Sequence, residues 1–89
     1  MWTDNEIKGK ILHKLTRAGK FEHSHTAVEN LQKGFTKDIV GRVKDMIKEL
    51  KKGDILIIKA TNYGEQVSIN VDLNEKVIEY IQIFLKKED

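Results

Sequence analysis

The chain has 89 residues, 39% of them hydrophobic, with 16 basic and 14 acidic side chains, a net charge of +2 and no cysteine. That length holds one domain with one modest core, and the apolar content is that of a folded chain rather than a disordered tail. The missing cysteine excludes disulfides, thiolate zinc sites and cysteine nucleophiles; no apolar run reaches the roughly 20 residues needed to cross a bilayer, and Met1-Trp2-Thr3-Asp4-Asn5 lacks the basic-then-apolar order of a signal peptide, so a cytoplasmic location is expected.

The first helix is expected from Asp4 or Glu6 to Ala18, where Ile7, Ile11, Leu15 and Ala18 recur on one stripe with Leu12 at its edge, and Gly19 stops it. A polar loop, 20–25, leads to Thr26 and Glu29, the spacing of a capping box, and so to a short second helix through Val28 and Leu31 that ends at Gly34. Phe35 is apolar and is expected to plug the core at the turn. Thr36 is placed to cap a third helix of about four turns, whose apolar face is Ile39, Val40, Val43, Met46, Ile47 and Leu50, with Gly53-Asp54 as its end. Ile55-Leu56-Ile57-Ile58 and Val67-Ser68-Ile69-Asn70-Val71 read as strands around the turn signal Asn62-Tyr63-Gly64-Glu65, pairing antiparallel with Ile57 and Ile69 buried. A last helix is expected over about 74–87, capped by Asp72 with Glu75 or by Asn74 alone. There is no proline, repeat or linker.

Charge is unevenly spread. Between Glu6 and Lys59 there are 13 basic and 7 acidic residues, whereas Ala60 to Asp89 holds 3 basic and 6 acidic ones. The positive field therefore belongs to the helical half.

A short helix joined by a tight turn to a longer one is helix-turn-helix grammar, and a hairpin directly after it makes a wing. In the stretches Thr26–Gly34, Thr36–Lys52 and Ile55–Val71 the chain resembles small winged-helix domains of prokaryotic and archaeal DNA-binding proteins, over roughly residues 6–85. The resemblance implies an α+β, mostly α fold of order helix-helix-helix-strand-strand-helix: one domain over 1–89, a helix-turn-helix over about 27–52, a two-stranded antiparallel wing over about 54–71 and a C-terminal helix. It also implies that the third helix enters the major groove of duplex DNA while the wing touches backbone or minor groove, as in a transcriptional regulator or the DNA-reading part of a larger protein. The same fold serves RNA binding and protein contact, so it does not settle function.

At about 100° per residue the third helix sorts its charges by side. One flank carries Lys37, Lys44, Lys48, Lys51 and Lys52 with Gly41 among them; the other carries Asp38, Asp45 and Glu49 with Arg42 beside them. A lysine row is a track for phosphates, and Arg42 has the fork to read a base edge or clamp a phosphate. Thr36 and Lys37 stand at the start of that helix, Lys59 at the base of the wing, and Asn62 and Tyr63 at its tip, where they are placed to donate to phosphates or stack on a base. Each feature has a plainer reading: a solvated lysine face, turn geometry for Asn62 and Gly64, and, for Gly41, close packing of the second helix rather than close approach of a nucleic-acid backbone.

His23 and His25, with His13 and Glu22, offer too few ligands for a closed metal site, and no phosphate loop, nucleophile motif or cofactor motif is present, so neither metal, cofactor nor enzymatic activity is expected. In the last helix Val77, Ile78, Ile81, Phe84 and Leu85 form a stripe, which Tyr80 and Ile83 widen beyond what one core needs. Either Trp2 packs on this helix and closes the core, or Tyr80 and Ile83 meet a partner, a second copy or the rest of a longer chain.

Overall fold

Thr3 starts the first helix: its hydroxyl accepts the Glu6 N–H at 3.2 Å while the Glu6 carboxylate accepts the Thr3 N–H at 2.8 Å. Two otherwise unpaired backbone donors are satisfied, an arrangement that contributes on the order of 1 kcal/mol. That backbone hydrogen bond, aided by Lys87 and opposed by burial, holds the Glu6 carboxyl below the usual carboxylate range. The computed structural model describes residues 1–88. Its elements are α1 (Asp4–Arg17), β1 (Thr26–Ala27), α2 (Val40–Lys52), β2 (Leu56–Thr61), β3 (Gly64–Ile69) and α3 (Asn74–Glu88), with 3-10 turns at Val28–Gln32, Lys37–Ile39 and Val71–Leu73. The fold is α+β and mostly helical, with three helices and one antiparallel sheet of order β1-β3-β2.

One core unites these elements. Ile7, Ile11, Leu12 and Leu15 of α1 meet Val43, Met46, Ile47 and Leu50 of α2, Ile55, Leu56, Val67 and Ile69 of the hairpin, and Leu31 and Val77. Each such side chain contributes about 1.5–3 kcal/mol by leaving water. α3 packs chiefly on α1, and the contact is closest at Gly9, which is buried: a Cβ added there would stand 2.7 Å from the Phe84 Cβ and nearer still to the Tyr80 carbonyl oxygen. Trp2 lies stacked on Phe84, with ring centroids 6.1 Å apart, and edge-on to Phe35 at 5.5 Å. The expected packing of Trp2 on the last helix is therefore realised.

Several local expectations are corrected. The Thr26–Glu29 capping box does not form: Thr26 and Ala27 instead pair with Val67 and Gln66 as a third strand, and the Thr26 hydroxyl accepts from the Asn30 side chain at 2.9 Å. Residues Val28–Gln32 form a 3-10 turn, not an α-helix, because the strand pairing holds the residues where a first helical turn would begin. Thr36 makes no side-chain cap; it precedes a 3-10 turn, and the α-helix starts only at Val40. Asn70, neither Asp72 nor Asn74, supplies the cap before α3, accepting the Asp72 N–H at 3.1 Å. Ala18 is exposed beyond the stripe it was assigned to.

The strands pair antiparallel, from Leu56 opposite Ile69 to Thr61 opposite Gly64. Ile69 is fully buried but Ile57 is 37% exposed, against expectation. Four consecutive apolar residues, 55–58, fit either face of a sheet, so alternation alone could not choose the parity. Leu56 faces the core, and Ile57 shares the outer face with Ser68. Ser68 is nonetheless buried where the segment 20–22 runs alongside the end of β3, Phe21 bridging Ile69: Ile69 N–H donates to the Lys20 carbonyl at 2.8 Å, and the Ser68 hydroxyl donates to the Glu22 carbonyl at 3.1 Å.

Candidate nucleic-acid interface

α2 turns its two charged edges in different directions. On the acidic edge, Glu49 meets Lys8 of α1 at 2.9 Å, and Arg42 donates to Asp4 of α1 at 2.7 Å. On the basic edge, Lys51 reaches Glu65 of β3 at 3.5 Å. The acidic edge therefore faces α1, and the lysine edge lies on the side of the β2–β3 hairpin. Lys44 and Lys48 are exposed there and, among the described residues, make no ion pair; Lys37, expected on the same flank, is exposed and unpaired in the 3-10 turn before the helix starts. Glu49 is paired with α1, whereas Asp45 is exposed without an ion pair among the described residues, and the hairpin side of the helix keeps Lys44 and Lys48 unpaired.

Arg42 is half-exposed and already paired, so a base or phosphate would have to displace Asp4. An exposed ion pair is worth about 0–1 kcal/mol, a small barrier to such an exchange. Thr36 lies exposed in extended backbone just before the 3-10 turn that leads into α2. Lys59 is exposed on β2 opposite Gln66. At the tip, Thr61 ties the turn by donating to the Gly64 carbonyl at 2.7 Å and accepting the Tyr63 N–H at 3.1 Å, with Gly64 at φ +109°. The positive φ falls on glycine, and neither Asn62 nor Tyr63 adopts one. Asn62 is thus not required for a left-handed turn position, and Tyr63, 96% exposed, projects a full aromatic face from the tip.

Gly41 is the second residue of α2 rather than a mid-helix position, and it is exposed with nothing within 4 Å of an added Cβ. The packing explanation for this glycine is thereby removed: no neighbour in the chain needs the space. Gly41→Ala is expected to raise stability by about 0.5–1 kcal/mol in a urea titration, since it lowers the entropy of the unfolded chain without a clash. Weakened DNA binding in the same, more stable variant would show that a ligand backbone uses the vacant space; unchanged binding would remove Gly41 from the interface.

Elsewhere the structure separates what the sequence grouped. Tyr80 is half-buried under the Lys8 ammonium, 5.4 Å from its ring centroid, so it belongs to the core edge; Ile83 is 38% exposed. Of the expected stripe Val77 and Phe84 are buried and Ile81 is partly so, whereas Ile78 and Leu85 are 45% and 42% exposed. The reason is the approach of α1 at Gly9, which brings α1 onto the Tyr80–Phe84 side of α3. Among the described residues no three His, Asp or Glu side chains gather as metal ligands, and His13 packs on Phe84 at 5.6 Å.

A second basic surface escaped the sequence reading. Lys10, His13, Lys14 and Arg17 have the i, i+3, i+4, i+7 spacing of one helix face, a periodicity visible in the sequence but overlooked when only apolar residues are counted. They line one side of a groove of about 560 Å³, with Lys33 and Phe84 across from them.

Fold and surface together define a small α+β domain that presents an unpaired lysine edge beside an exposed hairpin. Compared with protein-family models, curated proteins and solved structures, the chain matches none. Among the described residues no helix is long and apolar enough to cross a membrane.

Proposed function

We propose that this chain is a winged-helix nucleic-acid-binding module that reads duplex DNA through α2, with the β2–β3 hairpin as its wing, acting as a transcriptional regulator or as the DNA-binding part of a larger protein. The observation that carries the reading is the exposed, unpaired lysines Lys44 and Lys48 on the hairpin side of α2, with Lys37 exposed in the 3-10 turn that leads into it. Such a row neutralises successive phosphates and positions the helix, while base readout falls to Arg42 once it leaves Asp4. Tyr63 at the hairpin tip adds a stacking or phosphate-donating group. A hairpin directly after α2 supports this reading, whereas the segment expected to be the second helix is the strand β1 and a 3-10 turn. Glu65 near the tip is the one unfavourable charge, and Lys51 already stands beside it.

The test is an amide-shift titration with random-sequence duplex DNA at low salt. Shifts are expected at Thr36 to Lys51 and Asn62 to Gly64, and shifts absent from α2 at saturating DNA would end the proposal. Run with single-stranded and duplex RNA, the same titration decides between the nucleic acids.

A second reading, contact with another protein, is favoured by one observation: Ile83 and Ile78 lie exposed on α3. Hiding Ile83 across a twofold axis would give a weak homodimer and set two α2 helices for adjacent half-sites. Ile83→Lys is then expected to give a folded monomer with weaker DNA binding. Sedimentation in which the unaltered chain stays monomeric at high concentration would reject the dimer.

A further inference from the structure

The groove between α1 and the turn that precedes α2 is a different surface from the α2 edge. Asp4 and Lys8 mark the side of α1 that meets α2; at about 100° per residue, Arg17 lies roughly 140–180° from them by helical rotation, Lys10 roughly 120–160° and Lys14 roughly 80–120°. Lys33 enters from the turn, and the exposed Leu85, beside the buried Phe84, supplies an apolar floor from α3. Among the described residues no acidic side chain lines this groove.

Part of that charge has a structural use. Lys10 donates to the Gly34 carbonyl at 2.8 Å, and Lys14 to the Asn30 and Lys33 carbonyls at 2.6 and 3.1 Å, where they satisfy backbone acceptors at the end of the 3-10 turn. Arg17 and Lys33 are exposed, and their side chains make no hydrogen bond or ion pair among the described residues. Burial, then the neighbouring Lys33 and Lys10 charges, push the Lys14 ammonium below its ordinary value, so the groove is self-repelling when empty of anions. An anion between Arg17 and Lys33 would relieve that repulsion.

The apolar floor separates two kinds of anion. A phosphodiester backbone presents charge without an apolar side chain to cover Leu85, which is 42% exposed at the groove. A peptide that alternates carboxylates with a branched aliphatic side chain matches both halves: carboxylates to Arg17 and Lys33, the aliphatic group on the exposed Leu85. About 560 Å³ lies within the size range of sites for small ligands and side chains. We infer that this groove is a docking site for an acidic, leucine-containing segment of a partner protein, independent of the α2 surface.

The test is an amide-shift titration of the full chain with a synthetic peptide of alternating glutamate and leucine, with random duplex DNA as a parallel arm. The peptide is expected to move the amides of Lys14, Arg17, Gly34 and Leu85 and to leave those of Lys44 and Lys48 in place. In the double variant Arg17→Gln, Lys33→Gln peptide affinity is expected to fall about tenfold, from loss of two charge-assisted contacts, with α2 shifts by DNA unchanged. Both residues are exposed, so an unchanged amide spectrum before titration certifies the fold. No groove shifts at millimolar peptide, equal peptide affinity in the double variant, or groove shifts produced by DNA instead would each overturn the assignment. Because the DNA arm reads α2 separately, failure at the groove leaves the α2 proposal standing, and the reverse also holds.

Discussion

Gly9→Ala is expected to lower stability by about 3 kcal/mol, and the melting temperature by on the order of 15 °C. In an isolated helix the same change would gain close to 1 kcal/mol, because alanine is the better helix former. Here the added carbon meets the Tyr80 carbonyl and the Phe84 Cβ, neither of which is the free end of a flexible side chain. Relief requires α3 to move off α1, and Phe84 carries with it the Trp2 ring that lies stacked on it. Thermal melts of Gly9→Ala and Gly41→Ala measured side by side should therefore shift in opposite directions, since only Gly41 has open space beside it. Equal stabilisation by both would mean that α1 and α3 are not in close contact at Gly9.

The second large effect concerns DNA. If Lys44 and Lys48 each neutralise one phosphate, each alanine substitution flattens the slope of log affinity against log salt by about 1. Together they should cost roughly two decades of affinity at 0.1 M salt, irrespective of sequence, because a contact worth about 0.9 in slope contributes nearly one decade at that concentration. Neither lysine holds another element in place, so the double variant is expected to melt as the unaltered chain does. Fluorescence anisotropy at three salt concentrations measures both quantities. Affinity and slope unchanged in the double variant would move the working surface away from α2 and towards the protein-contact reading.

Much of the architecture was legible because apolar periodicity and turn chemistry are local. The stripe Ile7–Ile11–Leu15 and the run Val43–Met46–Ile47–Leu50 have a period near 3.6, and both are buried where that period puts them. Asn62-Tyr63-Gly64 fixed the hairpin, since a glycine at that position frees the left-handed residue the turn needs. The lysine row of α2 could be read in the same way, as charges on one flank of a helix.

Local signals were thus enough to place the three α-helices and the hairpin turn, and to sort the charge around α2. The remaining features depended on packing between distant segments. A two-residue strand is too short to show alternation, so Thr26-Ala27 looked like a helix start until β3 supplied its partner. The apolar run 55–58 has no preferred parity, and the core beneath chose Leu56 over Ile57. Gly9 and Gly41 are the same residue in the same kind of helix, and their opposite roles depend on what lies across from them: α3 in one case, open space in the other. The direction of each α2 edge likewise required Asp4, Lys8 and Glu65, residues distant in sequence from their partners Arg42, Glu49 and Lys51, to be brought alongside. Local chemistry sets the charge on a face, but long-range packing determines which faces are already neutralised and which remain open to a ligand.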